Sequence, residues 1–157
     1  MNQKIINGLE QIISMIFSFF IKIRSIPLLG VLSYFFFKSI GVEIPSAVKI
    51  GKNVKLVHWA NGLVIHPNTT IGDNVKLYQG VTLGRTDIHK PIEQSKMQGI
   101  VIEKGAIICA GAKVLCKDDF LTVGKNTVVG ANSVLTCSTG DNEIWAGVPA
   151  KKIGNIK

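Results

Sequence analysis

The sequence predicts an all-β solenoid over residues 44–157, a parallel β-helix of about five coils, preceded by a short α-helical segment over residues 1–43. Two observations carry this reading. From Ile44 onward an aliphatic residue returns every six positions, with glycine and small residues at fixed places in the beat. Before Ile44 there is no such beat, only two uncharged apolar runs. The composition agrees, since 46% hydrophobic and 18% charged residues in a 157-residue chain exclude global disorder and leave room for one domain.

The first run, QIISMIFSFFI at residues 11–21, is closed by Lys22 and Arg24, and the second, SIPLLGVLSYFFF at residues 25–37, ends at Lys38. Neither is long enough for a membrane-spanning helix. The following IKIRSIP has no small-residue cleavage site of the kind that ends a signal peptide. Two readings stay open. Residues 11–37 form a helix pair lying in a membrane surface, or they cap the rest of the protein, or a symmetry mate, and bury their side chains there.

The beat runs IPSAVK, IGKNVK, IHPNTT, IGDNVK, LYQGVT, then resumes with IEKGAI, ICAGAK, VGKNTV and VGANSV. Its anchors are Ile44, Ile50, Leu56, Ile65, Ile71, Leu77, Leu83, Ile102, Ile108, Val114, Val123, Val129, Leu135 and Ile144. Each hexad is read as a short extended stretch plus a turn, with the anchor pointing inward. The residue after the anchor is glycine at positions 51, 72, 84, 124 and 130, where a sharp turn or a positive φ is expected. The residue four after the anchor is small or β-branched, as at Val48, Val54, Thr69, Val75, Val81, Ala106, Ala112, Thr127 and Ser133. One large and one small inward residue in alternation suit a three-faced prism whose coils bury one another. A period of six fits no helical face. Intervals longer than six place excursions at 57–64, 86–101, 115–122 and 136–143, the second being the extruded loop.

A net charge of +8 favours an anionic partner. No aromatic–basic platform accompanies it, so no nucleic acid is expected. Cys109, Cys116 and Cys137 have no metal or redox spacing and are read as small buried residues in a reducing compartment. His58, His66 and His89 lie eight and twenty-three residues apart, which does not suit a three-histidine zinc site, and no metal is expected. His66 opens the turn HPNTT and reads as structural. His58 is the best general base, because an imidazole of pKa near ~6.5 takes a hydroxyl proton at neutral pH. Glu43, fifteen residues earlier, is expected about one coil beneath it and able to orient its ring.

The hexad pattern resembles that of the left-handed parallel β-helix acyltransferases. In particular GVEIPSAVKIGKNVKLVHWANGLVI, IGDNVKLYQGVTLGRT, CAGAKVL, VGANSVL and WAGVPAKKI resemble, in order, blocks of serine acetyltransferases over about 110 of the 157 residues. The resemblance implies left-handed coils and a homotrimer with sites between neighbouring prisms. It also implies His58 as catalytic base with Glu43 in place of an aspartate, and acetyl-CoA as donor. Gly84, Ala110 and Ala131 match positions lining the family's cofactor groove, with Arg85, Lys113 and Lys151 able to meet the cofactor. Several departures bear on the acceptor. Val57 replaces an aspartate, Trp59 adds an apolar platform to a lengthened bulge, and the Asp-Arg-His-Pro loop becomes Asp87-Ile88-His89-Lys90-Pro91. Trp59, Asp87 and His89 are therefore expected to bind the acceptor. The departures resemble smaller relatives that acetylate sugar hydroxyls of cell-surface polysaccharide, with serine acetylation as the alternative. The expected location is the cytoplasm, or the inner face of the cytoplasmic membrane.

Overall fold

A computed structural model describes residues 3–156; Met1, Asn2 and Lys157, which end the two expected segments, lie outside the described residues. Two helices come first, α1 (Gln3–Ile23) and α2 (Leu29–Ser39). Then follow β1 (Lys49–Ile50), β2 (Lys55–Leu56), β3 (Val64–Ile65), β4 (Thr69–Ile71), β5 (Lys76–Leu77), β6 (Thr82–Arg85) and β7 (Met97–Ile102). The remaining strands are β8 (Ile107–Ile108), β9 (Lys113–Cys116), β10 (Asp119–Val123), β11 (Val128–Val129), β12 (Val134–Leu135), β13 (Glu143–Gly147) and β14 (Ala150–Asn155).

The strands fall into three sheets that the chain visits in rotation. Sheet I is β1-β4-β7-β10, sheet II is β14-β13-β11-β8-β5-β2, and sheet III is β12-β9-β6-β3. Every pairing is parallel except the closing β13–β14 hairpin. Register puts anchor upon anchor: Ile50, Ile71, Ile102 and Val123 in sheet I, and Ile65, Leu83, Val114 and Leu135 in sheet III. The upper anchors are buried, while Ile44, Ile50 and Leu56 in the first coil and Ile144 in the last are partly covered. The small residues four places on are buried too, Thr127 and Ser133 included, with only Val54 partly open. Small residues there let the coil turn its corner without a void, which keeps the interior close-packed.

The glycines after the anchors have a different cause from the expected one. None of Gly51, Gly72, Gly84, Gly124 or Gly130 has a positive φ; that conformation falls at Asn53, Asn74, Asn126 and Asn132 and at a separate set of glycines. What Gly72 and Gly124 provide is close approach between coils. A Cβ on Gly72 would lie 2.7 Å from the Lys104 nitrogen, and one on Gly124 would lie 2.2 Å from the Gly140 carbonyl oxygen. The asparagines tolerate the left-handed region and bond to one another up the prism, Asn53 to Asn74 and Asn126 to Asn142.

The helices meet the prism at its base. α2 ends in a Schellman turn: Gly41, at φ 69, donates to Lys38 O and Val42 donates to Phe37 O. Phe17, Ile23, Phe37 and Val42 are buried, and Phe20 stacks on Phe36 at 3.8 Å between ring centroids. One face of the helix pair thus caps the first coil. No described helix is long and apolar enough to cross a membrane.

The excursions are shorter than the spacing suggested. Met97–Ile102 is already strand, so the loop after β6 spans 86–96, and residues 115–122 lie almost wholly within β9 and β10. Residues 136–142 run along β10, with Thr139 N donating to Thr122 O. The cysteines also depart from expectation: Cys116 is buried, Cys109 only partly, and Cys137 is exposed.

Glu143 ties the C-terminal hairpin to the last coil. Its carboxylate accepts from Lys152 Nζ at 2.8 Å, Trp145 Nε1 at 2.8 Å and Gly140 N at 2.7 Å. The Lys152 and Trp145 hydrogen bonds hold its pKa down at about 2, against an ordinary 4.5. A depressed folded-state pKa contributes stability that is present above the ordinary value and lost as pH falls through the folded one. The thermal midpoint is therefore expected to fall as pH drops from 4.5 to about 2. Glu143→Gln should make that slope shallower, as read by scanning calorimetry.

Candidate active site

The site is built on the edge where sheet II passes into sheet III. In the upper coils this corner is a tight turn, but between β2 and β3 it widens into Val57-His58-Trp59-Ala60. His58, Trp59 and Ala60 stand at φ 52, 61 and 47, three consecutive non-glycine residues in the left-handed region. Such conformations cost of order 1–3 kcal/mol each and persist only where the surroundings over-determine them. Here Ala60 is fully buried and its carbonyl accepts from Leu63 N, while Asn61 Nδ2 donates to Ile40 O at 2.9 Å. The result is an exposed imidazole on a rigid ledge, with Tyr78 of the next coil 5.9 Å away edge-on.

Directly up this edge the backbone ladder continues. Asn61 O accepts from Gly80 N, Gln79 O from Gly111 N, and Ala110 O from Asn132 N. Ala110 and Ala131 thus share the edge with His58, and neither carries a side chain larger than a methyl. Lys113 Nζ turns onto the same edge and donates to Gly80 O at 2.6 Å. Gly84 and Arg85 close the far end of β6, across sheet III, and Lys151 is exposed on β14.

The expected position of Glu43 needs correction. Glu43 N donates to Leu63 O, and Glu43 O accepts from Ile65 N, so Glu43 lies one coil beneath Val64, not beneath His58. A regular coil of three hexads takes 18 residues and the widened corner stretches this one to 21, so a fifteen-residue step falls short of a full turn. The Glu43 carboxylate accepts from Lys38 Nζ at 2.9 Å, and among the described residues the His58 ring has no hydrogen-bond partner.

The loop after β6 leaves from the other margin of sheet III. Asp87 is buried there, held by Arg85 Nη1 at 3.3 Å and Ser95 Oγ at 3.2 Å, while Arg85 Nη2 donates to Lys90 O at 2.8 Å. Burial pushes the Asp87 carboxyl up, but the Ser95 hydroxyl and the Arg85 guanidinium outweigh it and leave its pKa below the ordinary value. Asp87 therefore secures the loop in this chain, and Ile88 and His89 are exposed. Trp59 is edge-on to Phe17 of α1 at 6.0 Å, which ties the bulge to the helices. His66 Nδ1 accepts from Asn68 N, and burial followed by Arg85 lowers its pKa, as suits a turn residue. Three contacts were not foreseen: Tyr78 on His58, Phe17 on Trp59, and Lys38 on Glu43. Tyr78 was the findable one, since laying hexads side by side by coil places KLYQGV above KLVHWA.

Among the described residues no cluster of histidine, cysteine or carboxylate could hold a metal ion. The rotating parallel sheets and the histidine ledge form one scaffold, and comparison with known proteins shows what it is similar to. No family model matches the chain. Serine acetyltransferase of Bacillus pumilus is 38% identical over 113 residues, covering 72% of this chain and 48% of that protein. A crystal structure of Brucella abortus serine acetyltransferase in complex with coenzyme A aligns with TM-score 0.66 at 32% identity, over 82% of this chain and 47% of the other. The Neisseria gonorrhoeae serine acetyltransferase bound to serine aligns with TM-score 0.64 at 30% identity, over 77% of this chain and 47% of the other. The chain is serine acetyltransferase-like, and it spans about half the length of the proteins it matches. The expectation of a polysaccharide acceptor is thereby overturned, since these relatives are named for serine. The Phe17 contact adds a physical reason, because it takes part of the Trp59 ring that was to stack on a sugar.

Proposed function

We propose that the chain is an acetyl-CoA-dependent serine O-acetyltransferase, acting within a left-handed prism of about five coils (residues 44–157) that trimerises. The observation that carries this reading is the strained ledge of His58, Trp59 and Ala60 at φ 52, 61 and 47, with Ala110 and Ala131 on the same edge above it. Likeness to coenzyme A-bound and serine-bound structures supports both ligands.

In the proposed reaction acetyl-CoA lies along the edge past Ala110 and Ala131, with Lys113 and Lys151 toward its polar parts, and Gly84 and Arg85 at the far margin of sheet III meet it from a neighbouring copy. His58 takes the proton from the serine hydroxyl as that oxygen attacks the thioester carbonyl. The carbon–sulfur bond breaks, the proton passes to the departing thiolate, and O-acetylserine and coenzyme A result. Holding both substrates together supplies much of the rate. A covalent route through Cys109 is disfavoured, because burial raises its thiol pKa and reduces the thiolate. Glu43, one coil beneath Val64 and paired with Lys38, takes no part in the proposed step. His58 and His89 stand at opposite margins of sheet III, where a strand of four residues spans about 13 Å, so His89 would reach the acceptor from a neighbouring copy. The reaction belongs in the reducing cytoplasm. The test is coenzyme A release from acetyl-CoA with serine, threonine and glucosamine as acceptors; serine-dependent release is expected, and none above the acceptor-free rate would refute the proposal.

A further inference from the structure

The helix pair presents a second, uncovered apolar face. Phe17, Ile23 and Phe37 are spent on the prism, yet Met15 is 70% exposed, Leu28 87% and Phe35 64%, with Ile12, Phe19 and Leu32 each above 50%. α2 is apolar on nearly every side, and a helix of that kind meets a second apolar phase. Charge indicates which phase. Between Gln11 and Gly72 the chain carries six cations, Lys22, Arg24, Lys38, Lys49, Lys52 and Lys55, against the single acid Glu43. The three lysines at 49, 52 and 55 lie on the first coil, the one the helices cap. A second copy on this face would set those cations against their own kind, whereas an anionic bilayer would complement them.

A cleft of about 660 Å³ sharpens the match. It opens between the α1–α2 turn and the first coil, lined by Arg24, Pro27, Val31, Tyr34, Lys38 and Pro45 among others. Arg24 donates through its guanidinium to Ile21 O and Val48 O, but its Nε is buried with no hydrogen-bond partner among the described residues. Arg24 and Lys38, the latter paired with Glu43, line this largely apolar cleft, which suits a phosphate headgroup with acyl chains alongside. From these observations we infer that α1 and α2 dock the protein on an anionic membrane surface, lying in the interface rather than crossing it.

The experiment is co-sedimentation of the full chain with vesicles of phosphatidylcholine alone and with an equimolar phosphatidylcholine–phosphatidylglycerol mixture. Binding is expected on the mixed vesicles and to weaken on them by about fivefold for Lys22→Gln. It should weaken by roughly tenfold for Leu28→Ser or Phe35→Ser, whose side chains are exposed and whose loss leaves folding intact. Thermal melting of each variant checks the last point. No binding to either vesicle, or equal binding to both, overturns the inference. So does sedimentation velocity without lipid if Phe35→Ser dissociates a larger assembly, because the face would then be covered by another copy. Loss of acetyl transfer has no bearing on any of these outcomes.

Discussion

Replacing His58 with alanine is expected to lower kcat/KM for acetyl transfer by roughly 10²–10⁴-fold, the ordinary worth of a positioned general base. The loss should fall on kcat, since the imidazole acts on the proton in flight and contributes little to holding either substrate. Alanine at φ 52 keeps the strain of the ledge and removes the ring's contact with Tyr78. His58→Asn serves as the companion, because asparagine tolerates the left-handed region but cannot take the proton. Both variants should melt within a few degrees of the parent protein. A variant that unfolds, or one that retains its rate, would each contradict the assignment in a different way: the first makes His58 structural, the second makes it idle.

The largest stability effect is expected at Gly124. Its alanine Cβ would sit 2.2 Å from Gly140 O and 2.8 Å from Asp141 N, both backbone atoms of the segment that closes the prism. Neither can swing aside, so coil and segment must separate, and overpacking of this kind costs about 1–3 kcal/mol or more. For a protein of this size that is a fall of several degrees in melting temperature. Gly84 supplies the control. An alanine there meets nothing nearer than the Thr82 methyl at 3.7 Å, so stability should change by less than about 0.5 kcal/mol. If acetyl-CoA lies along β6, Gly84→Ala should instead raise KM for the donor. The neighbouring coil thus requires one glycine, and the KM measurement tests whether the donor requires the other.

Much of this fold was legible because a solenoid repeats its physics. Each anchor from Ile65 to Leu135 is an inward residue in the same environment, so ten independent statements of one rule stood in the sequence. The glycine rule was misread because a Gly in a turn suggests torsional freedom, whereas Gly72 and Gly124 are dictated by the coil above, a contact 32 or 16 residues away that no local pattern displays. The same blindness misplaced Glu43. Counting hexads treats every coil as equal, but the four-residue corner at 57–60 lengthens the first one and rotates Glu43 away from His58. His58 itself was visible as a lone imidazole in a long interval. Its strain, and the Phe17–Trp59 contact that secures the ledge, depend on how the helices fold back over the base, and apolar runs do not specify a docking angle. The acceptor was read from Val57, Trp59 and Ile88, and likeness to serine acetyltransferases outweighed those three positions.

The account rests on direct acetyl transfer from a thioester to a serine hydroxyl with His58 as base, and mass-resolved product analysis tests it most directly. The full chain, acetyl-CoA and serine are incubated, and small molecules and protein are weighed separately. The account predicts O-acetylserine and free coenzyme A in equal amounts, an unmodified protein mass, and loss of both products in His58→Ala. Coenzyme A released without O-acetylserine, or an acetyl group retained on the protein, would contradict it.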